Sequence, residues 1–191
     1  MFAERVQRMR IGAVMAQSPE GHLPIVDVGA MINKDRFGEL VRVINAASAG
    51  DNGASVEVGG IPYTHPYHEN GAYFVPTVVG DPAPDSAIAH TESESVRFQG
   101  APPILTPVPL VFGPVAVIMT YETLDEAVEL ANSTRYGLGA SVFGPDQDRC
   151  VKIAERLECG MVSVNDFAVF YVSHFHCVNI SARSRFSCFI S

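Results

Sequence analysis

Cysteine and histidine are the side chains of this chain with the widest chemistry. A thiolate of lowered pKa attacks carbonyl carbon or binds a soft metal. The four cysteines are Cys150, Cys159, Cys177 and Cys188. They form no C-x-x-C pair and no disulfide-scaffold spacing, which fits a reducing compartment. His65 and His68 are three apart and could share a helix face, but Pro62 and Pro66 argue against a helix there. Solvated loop histidines are the expectation. His174, His176, Cys177 and Cys188 match no zinc spacing. No metal is therefore expected, and Cys150 and Cys159 fall in or beside a helix and read as structural.

The elements that must position any site are read next. Met1–Ile11 reads as a helix ended by Gly12. Its three arginines resemble a transit peptide, but Glu4 and the lack of serine favour an ordinary helix. Ala13–Ile32 is broken by Pro19, Gly21, Pro24 and Gly29 and reads as loop. Asn33 stands as an N-cap, and Phe37, Leu40, Val41 and Ile44 give an i, i+3, i+4, i+7 face, with Gly50 and Gly53 ending the helix. Ala54–Val58 is a short strand. Ile61–Ala72 reads as exposed loop. Tyr73–Val79 has strand composition, with Pro76 marking an edge or a break.

From Val111 onward the pattern is clearer. Val115–Thr120 is an apolar strand. Thr123 and Glu126 form a capping box before the face Leu124, Ala127, Val128, Ala131. Leu138–Phe143 is a second strand. Pro145-Asp146 opens a helix with Cys150, Ile153, Ala154 and Leu157 on one face, and Gly160 stands as its C′ glycine. Met161–Val164 is a third strand. This β-α-β-α-β order predicts an α/β fold: a mostly parallel sheet with flanking helices, its apolar strands covered on both faces.

The totals narrow the partners. The chain has 191 residues, 47% of them hydrophobic, enough to build a core. A net charge of −8 argues against nucleic acid or an anionic membrane as partner. No apolar run approaches the ~18 residues of a span. A cytoplasmic location is expected. Two stretches do not fit. Ser93–Leu110 holds Pro102, Pro103, Pro107 and Pro109 without periodicity. Ser173–Ser191 has no period, cap or glycine and reads as a disordered tail.

Several segments, in order, are similar to the aldehyde dehydrogenase superfamily. They are Val28-Gly29-Ala30-Met31-Ile32, then Gly59-Gly60 with Gly71-Ala72-Tyr73-Phe74-Val75-Pro76-Thr77-Val78. Phe112-Gly113-Pro114-Val115 follows, then Leu124–Asn132, Tyr136–Phe143 and Gly160–Asn165. The resemblance implies a partial catalytic domain over 1–172, with 93–110 an unstructured insertion and 173–191 outside the family. It implies NAD or NADP as cofactor, an aldehyde substrate oxidised to a carboxylic acid, and a homo-oligomer. A cysteine thiolate attacks the aldehyde in that family, hydride passes to the cofactor, and a glutamate activates the hydrolytic water. No cysteine here matches the nucleophile, whose segment and the base lie upstream of the part resembled.

Two cofactor residues carry over. The family places a glutamate just before its F-G-P, holding the nicotinamide ribose hydroxyls, and packs the phenylalanine near the nicotinamide. Phe112 matches the phenylalanine. The three residues before it lack a glutamate, but removing Ser93–Leu110 would join Glu92 to Val111-Phe112-Gly113-Pro114. Phe170, five residues past Asn165, matches an aromatic of the aldehyde tunnel.

The chain is accordingly expected to be a truncated product with two unspliced stretches, inactive alone, with exposed edges such as Met161–Val164 making it poorly soluble. The other reading is a non-catalytic lobe acting only through subunit association. Sequencing the transcript distinguishes artefact from natural insertion. The expected message lacks the codons for Ser93–Leu110 and continues past Val172 into the family's glycine-rich P-F-G-G run. A message encoding the chain as written overturns this.

Overall fold

The computed structural model describes residues 1–13, 15, 23–49, 53–90, 113–134 and 136–166. The chain divides into two compact units, Met1–Thr120 and Tyr121–Ser191. The predicted α/β class is found in both.

The first unit begins with α1 (Phe2–Gln7), shorter than the expected Met1–Ile11. The helix stops because residues 10–12 pair elsewhere. Ile11 bridges Val28 in parallel, and Arg10 O accepts from both Asp27 N and Val28 N. The Arg10 guanidinium grips Asp27 through Nε–H to Oδ2 (2.8 Å) and Nη2–H to Oδ1 (3.0 Å). These bonds, joined by the Arg10 backbone N–H, hold the Asp27 carboxyl down to about 2.

Helix α2 (Phe37–Ala47) starts later than expected: Arg36 is its N-cap, without a side-chain bond, so Asn33 is not the cap. The preceding turn accounts for the shift, since Phe37 N already donates to Lys34 O. The helix ends at Ala47 rather than at the glycines, and Ser48 Oγ closes on Ile44 O. Its buried face is Leu40, Val43 and Ile44, with Phe37 and Val41 at the flanks. Val43, absent from the predicted face, is 3% exposed.

Five strands follow: β1 (Ser55–Val58), β2 (Pro62–His65), β3 (His68–Phe74), β4 (Thr77–Gly80) and β5 (Val115–Ile118). Ile61–Ala72, expected as loop, is largely the β2–β3 hairpin. Pro62 opens its strand, where a missing N–H costs least, and Pro66 sits in the turn. The break at Pro76 is as expected. A second sheet runs β1-β4-β5, antiparallel between β1 and β4 and parallel between β4 and β5. The core joins Leu40, Val43, Ile44, Ala54, Phe74, Val79 and Ile88. Phe37 meets Phe74 edge-on at 5.5 Å.

The second unit holds α3 (Leu124–Asn132), β6 (Gly139–Val142), α4 (Gln147–Ala154) and β7 (Met161–Val164). The Thr123/Glu126 capping box forms as predicted. Asp146 caps α4 by accepting from Arg149 N at 3.0 Å. β6 and β7 are parallel and in step, Gly139 opposite Met161 through Val142 opposite Val164. The expected single β-α-β-α-β unit is thus divided. Its first strand, β5, pairs with β4, which takes up its backbone groups from Val115 to Ile118.

Two further expectations are corrected. Gly160 is no helix C′ residue: α4 ends at Ala154, and Gly160 N donates to Gly137 O at 2.7 Å where the parallel pair begins. Nor is every apolar strand covered on both faces, since Val117 and Ile118 at the end of β5 are 37% and 40% exposed. Among the described residues no helix is long and apolar enough to cross a membrane.

Among the described residues Phe74 is the largest fully buried side chain. Phe74→Ala should cost about 3–5 kcal/mol, enough to leave the first unit at the edge of folding. Denaturant melts of wild type and variant check this, and a loss under ~1 kcal/mol would show that Phe74 does not carry the core.

Candidate functional site

The three residues assigned by resemblance, Glu92, Phe112 and Phe170, lie outside the described residues. The chain up to residue 90, the chain from Gly113 onward and the chain up to residue 166 are described. On the approach to Glu92, Ser86 N donates to Ala83 O and Ala89 N to Ser86 O, and Ile88 enters the core at 4% exposure. On the exit from Phe112, Gly113 lies against Leu40, where an added Cβ would come within 2.7 Å of Leu40 Cδ2. A larger residue there would push the Leu40 side chain out of its place in the core. Val115 then packs on the same core. The chain before residue 91 and the chain after residue 112 therefore anchor in one cluster with Leu40 and Ile88 as members.

The motif residues Gly59, Gly60 and Thr77 explain how β5 is fixed. Gly59 and Gly60 have φ of 81° and 83°. A Cβ on Gly59 would stand 2.6 Å from Thr77 Oγ1. Thr77 is 1% exposed, and its hydroxyl is satisfied twice: it accepts from Gly60 N and donates to Val75 O, both at 2.8 Å. Its backbone N–H donates to Pro114 O at 2.8 Å. One residue thus locks the Gly-Gly turn, the strand break and the Gly113-Pro114 entry to β5.

The far end of the β4–β5 pair is closed by Asp81, at φ 45°. Its Oδ1 accepts from Thr120 N (2.6 Å) and Thr120 Oγ (2.8 Å), and its own N–H donates to Ile118 O. The Thr120 backbone N–H, then the hydroxyl, lower the Asp81 pKa.

In the second unit, Asn165 ends β7 in the left-handed region, φ 54°. Its N–H donates to Val142 O and its Oδ1 accepts from Gly144 N, both at 2.8 Å. Ser163 Oγ donates to Asp166 O at 3.0 Å and pairs with Ser141 Oγ at 2.8 Å. These bonds fix the direction in which the chain leaves β7. Asn165 reads from the sequence as the end of its strand and Asp81 as the start of a turn, but the side-chain bonds of Thr77, Asp81 and Asn165 were missed, because none lies in a periodic helix face. Asparagine directly after an apolar strand was the available signal, since it tolerates the left-handed region.

Of the cysteines, Cys150 is 4% exposed on α4 and Cys159 is half-buried; Cys177 and Cys188, with His174 and His176, are outside the described residues. His65 and His68 are cross-strand partners with ring centroids 5.1 Å apart. Among the described residues no three of His, Cys, Asp and Glu converge on a metal site.

The pattern of the aldehyde dehydrogenase family matches residues 1–94 and 110–186. The chain belongs to the aldehyde dehydrogenase family. An aldehyde dehydrogenase-like protein of Saccharomyces cerevisiae is 38% identical over 181 residues, 94% of this chain and 25% of that protein. Aldehyde dehydrogenase 1A1 of Gallus gallus is 35% identical over 149 residues, 78% of this chain and 24% of that protein. A betaine aldehyde dehydrogenase double mutant of Staphylococcus aureus, solved with NAD+, superposes with a TM-score of 0.67 at 27% identity, over 87% of this chain and 28% of that one. The chain spans about a quarter of the length of these relatives. The second stretch matched to the aldehyde dehydrogenase family takes in part of 173–191.

Asn165 separates two physical effects. Asn165→Gly keeps the left-handed backbone and loses one hydrogen bond, so about 1 kcal/mol of stability should go. Asn165→Ala loses the bond and strains the backbone, so its loss should be larger by about 1 kcal/mol. Urea melts of both variants check the order; equal losses would mean that backbone strain at this position is unimportant.

Proposed function

We propose that this chain is the part of an NAD(P)-dependent aldehyde dehydrogenase that holds the nicotinamide end of the cofactor and one wall of the aldehyde tunnel. The whole enzyme would oxidise an aldehyde to a carboxylic acid. The observation that supports this reading best is the shared anchoring of the chain before residue 91 and after residue 112 in the core of Leu40 and Ile88. The family match supports it too, because it is interrupted only between 94 and 110, leaving Glu92 in its first stretch and Phe112 in its second. We read 93–110 accordingly as an insertion into the family pattern.

The donor set suits the cofactor. A glutamate carboxylate is acceptor-only at neutral pH and takes two vicinal hydroxyl donors. Glu92 would hold the ribose in this way. Phe112 would pack beside the nicotinamide and exclude water from it, with Gly113 and Pro114 fixing where its backbone begins. Phe170 would narrow the approach of the aldehyde. NAD(P), when bound, supplies the hydride acceptor.

No residue in 1–191 matches the family's nucleophilic cysteine or its general-base glutamate, so these residues alone are proposed to be inactive. The buried Cys150 supports this, since a thiol sealed in apolar packing is inert. A reducing, cytoplasmic setting and homo-oligomeric assembly complete the reading.

Two arms test it. The purified chain is incubated with NAD or NADP and a panel of aldehydes while reduced cofactor is followed by absorbance. No turnover is expected, and turnover abolished by changing any one of the four cysteines would overturn the assignment. In the second arm, residues 1–172 without 93–110 replace the matching quarter of the Staphylococcus aureus enzyme. NAD-dependent activity is expected, with a raised KM for NAD in the Glu92→Gln version. A chimera that is folded and active but indifferent to that change would remove Glu92 from the cofactor site.

A further inference from the structure

The β2–β3 hairpin is out of register at one place. Tyr63 faces Tyr73 and His65 faces His68, so Thr64 alone stands opposite Glu69, Asn70, Gly71 and Ala72. Residues so bulged are left without ladder partners. The two ends of the bulge are tied: Lys34 Nζ donates to Glu69 O at 3.0 Å, and Met31 N donates to Ala72 O at 2.7 Å. Between those ties Asn70 is exposed, and its side-chain amide makes no hydrogen bond among the described residues. Of the other described asparagines, Asn33 is also exposed but is followed by Lys34, and the rest are held. Asn132 donates through Nδ2 to Arg156 O and accepts at Oδ1 from Glu158 N, both at 2.9 Å. Asn165 accepts from Gly144 N. Asn45 lies inside α2.

We propose that Asn70 is a modification site, deamidating spontaneously to aspartate and isoaspartate. The Gly71 backbone nitrogen, its proton taken by solvent base, attacks Asn70 Cγ. The N–Cγ bond forms, the Cγ–Nδ2 bond breaks, and the amide nitrogen leaves as ammonia with a proton from water. Water then opens the five-membered imide at either carbonyl. One water is consumed and one ammonia released, with no change of oxidation state. Gly71 has no Cβ to hinder the approach and has the backbone freedom to reach it. Opening at the α-carbonyl adds one carbon to the main chain, which a segment already out of register with its partner can absorb. The product places a new carboxylate beside Glu69.

The test is peptide mass mapping of the dilute, folded chain held in mildly alkaline buffer, with isoaspartate detected by enzymatic methyl labelling. The Asn70 peptide, resolved from that of the other Asn-Gly pair, Asn52-Gly53, is expected to convert several-fold faster than those of Asn132 and Asn165. Asn70→Gln should abolish the signal, because the corresponding ring is six-membered and closes more slowly. Gly71→Ala is unsuitable, since its Cβ would overlap the Tyr73 ring. Conversion of Asn70 no faster than Asn132 and Asn165, or only after denaturant is added, overturns the proposal.

Discussion

The first unit depends on one buried hydroxyl. Burying an unpaired hydroxyl costs roughly 1–3 kcal/mol, so Thr77 is tolerable in the interior only because Gly60 N and Val75 O are where they are. That requirement runs both ways. The Gly-Gly turn must take positive φ to bring its N–H down, and the chain must break at Pro76 to bring the hydroxyl up. The same residue's N–H then selects Pro114 O as the start of the parallel partner. A threonine in this position thus sets the geometry of two strands and of the Gly113-Pro114 entry to β5.

The two units are stabilised by different means. The first rests on apolar volume around Phe74, Leu40 and Val79. The second has only Val128 and Cys150 buried among its described residues, and side-chain-to-backbone brackets take over. Thr123 and Asp146 cap its helices, Asn132 clamps residues 156 and 158, and Arg156 pairs with Asp125 at 2.6 Å. That pair is exposed and contributes little by itself.

What the sequence makes legible follows from the range of the forces involved. The caps of α3 and α4 act over three residues, so their residues announce them. The hairpin was hidden because Pro62 and Pro66 read as breakers, although each stands where no N–H is required. The partner of β5 was hidden because its pairing with β4 spans a long stretch of chain, and the order of elements favours the nearer strand. Glu92, Phe112 and Phe170 were visible only through family likeness: a lone carboxylate and two phenylalanines have no spacing that points to a dinucleotide. Their frame, by contrast, is physical, and the contacts of Gly113, Thr77 and Asn165 account for the motifs around them.

The β4–β5 pairing has a consequence for how long a connection this fold can carry. Closing the pair requires the chain between Gly80 and Val115 to return on itself, and Ser93–Leu110 about doubles that connection. Doubling a connection adds only about 0.6 kcal/mol of closure entropy. Burial of Ile88, worth about 1.5–3 kcal/mol, exceeds such a term. Lengthening the connection at this place is therefore thermodynamically quiet and leaves the surrounding core intact.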